Sequence, residues 1–219
     1  MKNLVWGEIQ LGKGLGDNAI IGRSHFSRWQ VMQLLCFQEG KLPATSLLDL
    51  GSYVVMDLSK LSWIKNVKHK GSDKLWAYET SVMQIPEAKI FCLNWRDPKD
   101  KTNAEKPLKD DLMLLLQKAK ITHLVEFVDN EVYENDSGEW GIYRVVKALW
   151  MPPKNFDWEK LPHQKDFFGF DYVVGDGAAH NLAEEDKMHQ FHQYWDKQGG
   201  LKAFQKQLDN RLTEISSTL

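Results

Sequence analysis

Apolar and polar positions sort most clearly in the middle of the chain. LMLLLQ at 112–117 fits a helix or a strand by periodicity alone. Its neighbours decide for a strand. KAK reads as a short turn, and ITHLVEFV at 121–128 is rich in β-branched and aromatic residues. The two segments are predicted to pair as a hairpin. GIYRVVKALW then gives a long strand, closed by Met151-Pro152-Pro153. AKIFCLNW, LWAYETSVM and SYVVMDL are further strand candidates. Between them, RDPKDKTNAEKPLKDD (96–111) carries two prolines and many charges and reads as a surface loop. NEVYENDSGEW reads as a polar excursion with a Ser-Gly turn.

The ends of the chain carry helical signals. KNLVWGEI gives a short strand, and a glycine-rich loop follows over 10–23. Ser27 with Gln30 then forms a capping box, with Phe26 and Val31 spaced as a hydrophobic staple. This helix stops at Gly40, and its apolar residues cover most faces, as in a buried helix. At the other end, Asn181 with Glu184 predicts a helix running through MHQFHQYW to Gly199-Gly200. A second helix carries Leu201, Phe204, Leu208, Leu212 and Ile215 at three- and four-residue spacing. That stripe predicts burial of one face within the same chain. The predicted fold is α+β: a small mixed β-barrel of short strands, with an N-terminal helix and two C-terminal helices packed on it.

Composition adds little to this. The 219 residues are 42% hydrophobic and 26% charged, ordinary for a globular protein. Cys36 and Cys92 both lie in apolar runs and read as buried thiols, not as a disulfide framework or a zinc knuckle. No apolar run reaches the roughly 18 residues of a membrane span, and no basic flank precedes a long apolar stretch. The expectation is a cytoplasmic protein without membrane contact. Charge is uneven. Residues 1–120 hold 18 Lys+Arg against 13 Asp+Glu, and residues 121–219 hold 10 against 17. Such asymmetry fits a polyanion-facing half, and equally an ordinary difference between two regions.

Four motifs bear on chemistry. GEIQLGKG, from Gly7 to Gly14, approaches a phosphate-binding loop. It lacks the hydroxyl residue after Lys13, and no helix start follows, so it reads as a glycine-rich loop. Glu185, His189 and His192 fall on one helical face, where they could hold a metal if His180 came close; a solvated polar face is the plainer reading. Asp57, at the end of an apolar strand, with Glu87-Ala88-Lys89 on a neighbouring one, would suit a metal-dependent nuclease. Lys65, Lys68 and Lys70, with Lys60 and Lys74, surround Trp63 and Trp76. Lysines neutralise phosphates and aromatic faces stack on bases, while loop acids such as Asp97 and Asp100 dilute the patch.

At LLLQKAKITHLVEFVDNEVY and IYRVVKALWMPP the sequence resembles the PUA-like barrels, and their EVE branch in particular. The resemblance covers about residues 75–155. It places IFCLNWRDP where such domains carry pocket aromatics and polar groups. It implies a reader of nucleic acid, often of a modified base flipped between aromatic rings. On that reading Trp95 stacks on the base, and Asn94 and Arg96 meet its edge or a phosphate. His123 is a second candidate, or a satisfied core residue. Trp76 and Trp140 are further aromatic candidates.

The resulting organisation is an N-terminal unit over 1–70, a PUA-like barrel over 71–180 and a helical pair over 181–219, read as one compact unit. The resulting function is a nucleic-acid-binding module without a cofactor and without catalysis of its own. Two alternatives stand beside it: the nuclease of Asp57, Glu87 and Lys89, and a protein-interaction adaptor working through the C-terminal helices.

Overall fold

The structure is a computed structural model that describes residues 56–68, 84–85, 89–134, 138–152 and 157–218. The glycine-rich loop, the 27–40 helix, the LWAYETSVM segment, Trp76, Lys70 and Glu87 lie outside the described residues.

Among the described residues, eight strands build one mixed sheet: β1 (Leu61–Asn66), β2 (Gln84–Ile85), β3 (Ile90–Trp95), β4 (Leu112–Gln117), β5 (Lys120–Phe127), β6 (Tyr133–Glu134), β7 (Ile142–Trp150) and β8 (Ala179–Asn181). Their order is β2-β3-β7-β5-β4-β1-β8, with β6 also on β7. Among the described residues, only β1 and β4 pair in parallel. The sheet curls into an open half-barrel. Helices α1 (Lys101–Ala104), α2 (Gln164–Phe168), α3 (His189–Trp195) and α4 (Gly200–Thr218) complete the described part. No helix among the described residues is long and apolar enough to cross a membrane.

The predicted hairpin forms as β4 and β5, with Leu114 opposite Leu124. Lys118 and Ala119, both at positive φ, turn the chain between them. All six residues of β4 are buried, which explains its unbroken apolar run: both faces of the strand are covered. Leu112, Leu114 and Leu116 join one apolar cluster, and Met113 and Leu115 join another. The first cluster receives the helices. Phe204 is its aromatic centre, with ring centroids 4.7 Å from Phe168, 5.1 Å from Phe191 and 5.3 Å from Trp195. The α4 stripe packs here as expected. Phe204, Leu208 and Leu212 are fully buried, and Leu201 and Ile215 rest against the same cluster. The second cluster lies on the other side of the sheet and includes Trp63, Phe91, Leu93 and Trp95.

Three local expectations are corrected. SYVVMDL does not run as a strand to Leu58: Leu58–Lys60 is a 3-10 turn, and Asp57 caps it by accepting the Ser59 amide at 3.0 Å. Asn181 does not start a helix. It ends β8, pairs with Trp63 across the sheet, and accepts the Ala183 amide at 2.9 Å to make a turn. The helix begins eight residues later, at His189. The 96–111 loop is also more ordered than a plain surface loop, since it contains α1. The sheet takes β1 from before residue 70 and β8 from across residue 180, so it is assembled from both sides of each expected boundary.

Arg144 on β7 is fully buried. Its Nη1 donates to the Ala104 and Pro107 carbonyls at 2.7 and 2.9 Å, and its Nη2 donates to the Asp129 carbonyl at 2.5 Å. It also lies 4.8 Å over the Phe127 ring. One side chain therefore fixes the exit of α1 and the loop after β5.

Candidate functional site

The expected residues Lys65, Asn94, Trp95, Arg96 and Trp140 come together at one end of the curl. Alternation in β3 puts Phe91, Leu93 and Trp95 on the same face, inside the second cluster. Trp95 is fully buried, and its indole N–H donates to Asn103 Oδ1 at 2.9 Å. Its ring is covered by the Lys65 ammonium, 4.4 Å from the ring centroid. A base could reach this ring only by displacing Lys65, so Trp95 is a core residue under the site and not its stacking face.

Lys65 follows from the same alternation. It shares a strand face with Trp63, and its Nζ donates to the Gly177 carbonyl. It is 1% exposed, which removes it from the surface patch of phosphate-binding lysines. Lys68, by contrast, is exposed. Burial drives the Lys65 pKa down to about 7, against the pull of Asp100 and Asp176, which favour the charged form.

The rim of the site is polar and more open. Asn94 donates to the Trp140 carbonyl at 3.0 Å, and the Asp97 amide donates to the Glu139 carbonyl at 2.8 Å. These two bonds tie the 3-10 turn Gly138–Trp140 to the end of β3. Trp140 keeps 39% of its surface exposed. The Arg96 guanidinium lies 5.9 Å over its ring, and Arg96 Nε donates to Asp100 at 2.7 Å. That bond raises the Arg96 pKa. Gly177 sits against the other part of the indole: a Cβ there would meet the ring at 3.4 Å.

Three residues of the site were not singled out by sequence reasoning: Asn103, Asp176 and Gly177. Asp100 was named only as an acid that dilutes the lysine patch. His180 was named only as a metal ligand. Asn103 works as a clamp. Its Oδ1 accepts the Ala179 amide and its Nδ2 donates to the Ala179 carbonyl, each at 2.7 Å. This pair imitates a strand ladder and holds β8 against α1. Within β8, His180 Nε2 meets Oδ1 of Asp176, which precedes the strand, at 2.6 Å. Burial pushes Asp176 up, but the His180 bond, the Ala178 amide and the Lys65 charge outweigh it and hold the carboxyl low. No short motif announces these residues. They meet only because β8 returns to pair with β1.

The remaining candidates lie elsewhere. His123 is fully buried on β5, opposite Leu115 and edge-on to Phe91 at 6.1 Å. Burial drives its pKa down to about 3, so it is a neutral core histidine and not a base-reading group. Of the nuclease residues, Asp57 and Lys89 fall among the described residues, and they stand apart. Asp57 caps a turn before β1, and Lys89 is an exposed turn residue before β3. Strands β7, β5 and β4 lie between β1 and β3, which run in opposite directions, so the two residues sit at opposite ends of the sheet. His180 is engaged with Asp176, and His189 faces Gln193 at 3.4 Å. Neither joins His192, whose ring turns instead to Asp196.

The chain has no match among protein-family models, curated proteins or solved structures. The site must therefore be read from its own chemistry. An exposed indole, a guanidinium over its face, an imidazole–carboxylate pair and a half-buried amide can grip a flat, hydrogen-bonding ring system.

The buried amine has a consequence for stability. An unfolded chain keeps its Lys65 proton up to about pH 10.5, and the folded chain releases it near 7. Between these values the unfolded state holds more protons, so the Lys65 contribution rises with pH. Wild type is expected to gain roughly 2–3 kcal/mol relative to Lys65→Met between pH 7 and 9. Urea unfolding of both proteins at the two pH values checks this, and a constant difference would count against it.

Proposed function

We propose that the protein is a nucleic-acid-binding module that takes a base at the Trp140–Arg96 rim. The observation that carries this reading is the exposed indole of Trp140, held by Asn94 and faced by Arg96. In single-strand recognition, aromatic side chains stack on bases and cations follow the backbone. Trp140 takes the stacking role that the resemblance to PUA-like, EVE-type barrels gave to Trp95. Arg96 supplies a planar cation beside it, and the His180–Asp176 pair offers donors and acceptors to a base edge. Modified bases belong to the same ligand class, because the rim reads a flat ring and its edge groups.

The two other readings have less support. A nuclease would need Asp57 as a metal ligand with Lys89 close by to position the attacking water, and these two residues lie at opposite ends of the sheet. An adaptor working through the α4 stripe would need an apolar face that the chain already covers itself.

Fluorescence polarisation with labelled single- and double-stranded DNA and RNA tests the proposal. Stacking is worth about 1–3 kcal/mol per base, so Trp140→Ala should weaken binding roughly five- to hundredfold. Trp95→Ala is unsuitable as a probe of stacking, since removing a fully buried indole costs about 3–5 kcal/mol of stability by itself.

A further inference from the structure

A second cluster lies away from the rim, where the turn after β8 meets α3. Leu182 and Met188, both buried, anchor this turn in the helix-side core. Its backbone is fixed as well. The Leu182 amide donates to the Ser62 carbonyl at 2.8 Å, and the Met188 amide donates to the Glu184 carbonyl at 3.0 Å. Glu185 is held between these anchors. His192 and Asp196 follow, one helical turn apart. One donor atom from each of Glu185, His192 and Asp196 lies within 4.8 Å of the other two.

We propose that Glu185, His192 and Asp196 bind a divalent first-row transition cation, with water completing its shell. Three observations support this. His192 Nδ1 is nearly equidistant from both Asp196 carboxylate oxygens, at 3.2 and 3.3 Å. A charge-assisted hydrogen bond is shorter, about 2.7–2.9 Å, and is directed at one oxygen. Two ligands on one metal, each about 2.0–2.2 Å from it, stand about 3.0–3.5 Å apart. Second, the opposite ring nitrogen, Nε2, is shut off from solvent and has no hydrogen-bond partner among the described residues, so Nδ1 is the atom presented to the carboxylates. Third, neither Glu185 nor Asp196 is ion-paired to a lysine or arginine among the described residues, whereas the adjacent Glu184 meets Lys106 at 3.9 Å. Two carboxylates without a lysine or arginine partner among the described residues therefore gather at one imidazole, on a backbone that is already fixed.

The donor set selects the ion. One imidazole nitrogen and two carboxylates suit zinc, manganese or iron, whereas magnesium and calcium favour oxygen alone. Asp196, not His189, completes the triad, because His192 and Asp196 are four residues apart on one helical face while His189 turns to Gln193.

Titration calorimetry of the full chain with zinc chloride tests the proposal. Thermal melts with zinc and with magnesium accompany it. One zinc ion per chain is expected, with a rise in Tm that magnesium does not give. Glu185→Gln and Asp196→Asn change exposed side chains and leave the core intact. Each should weaken zinc binding by about tenfold or more, since even losing a residue that only hydrogen-bonds to a metal ligand costs about 10–100-fold. His189→Ala should bind as wild type. Absence of zinc binding, zinc binding unchanged in both carboxylate variants, or an equal loss in His189→Ala would overturn the proposal.

Discussion

Replacing Arg144 with methionine is expected to destabilise the protein by about 3–5 kcal/mol. Three carbonyls lose their donor at once: Ala104, Pro107 and Asp129. Each buried carbonyl left without a partner costs about 1–3 kcal/mol, and removing a buried charge returns part of that sum. Methionine restores much of the packing over Phe127 but donates nothing. Lysine would serve only one carbonyl at a time, because it lacks the forked donor geometry of arginine, so Arg144→Lys should fall in between. Urea unfolding followed by tryptophan fluorescence measures both. The effect should also reach the rim, because Arg144 holds the end of α1, and α1 carries Asn103, with Asp100 just before it. A loss below about 1 kcal/mol would mean that water replaces the guanidinium easily.

The second large effect is acid sensitivity through His123. Burial holds its folded pKa near 3, well below the 6.5 of an ordinary histidine. Between these values the unfolded state binds a proton that the folded state refuses, so stability falls as pH falls below 6.5. From pH 6.5 to 4.5, before most carboxylates titrate, the His123 share of the loss is on the order of 3 kcal/mol. His123→Leu should remove that slope while keeping an apolar side chain against Phe91. Unfolding curves at several pH values in this window check it. Equal slopes for wild type and His123→Leu would contradict the account.

Much of the sheet was legible in the sequence, and the reason lies in particular residues. β4 is apolar throughout because both its faces are covered, and β5 and β7 carry β-branched and aromatic residues on either side of turn signals. The stripe from Leu201 to Ile215 marked α4 and its buried face, since three- and four-residue spacing is the period of one helical face. Asn181 misled because a capping residue and a turn residue look alike. Its side chain does accept a backbone amide, but in a turn that leaves the sheet, and the signal for pairing with Trp63 is not local.

The site was legible in part. Trp95, Arg96, Asn94, Trp140 and Lys65 were all picked out, and they do lie together. Their roles were less visible. Flanking lysines made Lys65 look solvated, although alternation with Trp63 aims it inward. The period-two pattern of Phe91, Leu93 and Trp95 already placed that indole on the core face. Asp176, Gly177 and Asn103 left no local trace, because their meeting depends on a strand that returns 118 residues after β1 begins, at Ala179 against Leu61.

The central claim is that Trp140 and Arg96 form a base-binding rim. Its most direct test is polarisation of a labelled single-stranded RNA and its DNA counterpart, with and without modified bases, at low and moderate salt. Wild type, Trp140→Ala and Arg96→Ala would be compared. The account predicts binding that weakens with salt, a roughly five- to hundredfold loss in Trp140→Ala, and a shallower salt dependence in Arg96→Ala. Absence of binding to every probe, or binding that both variants leave unchanged, would contradict it.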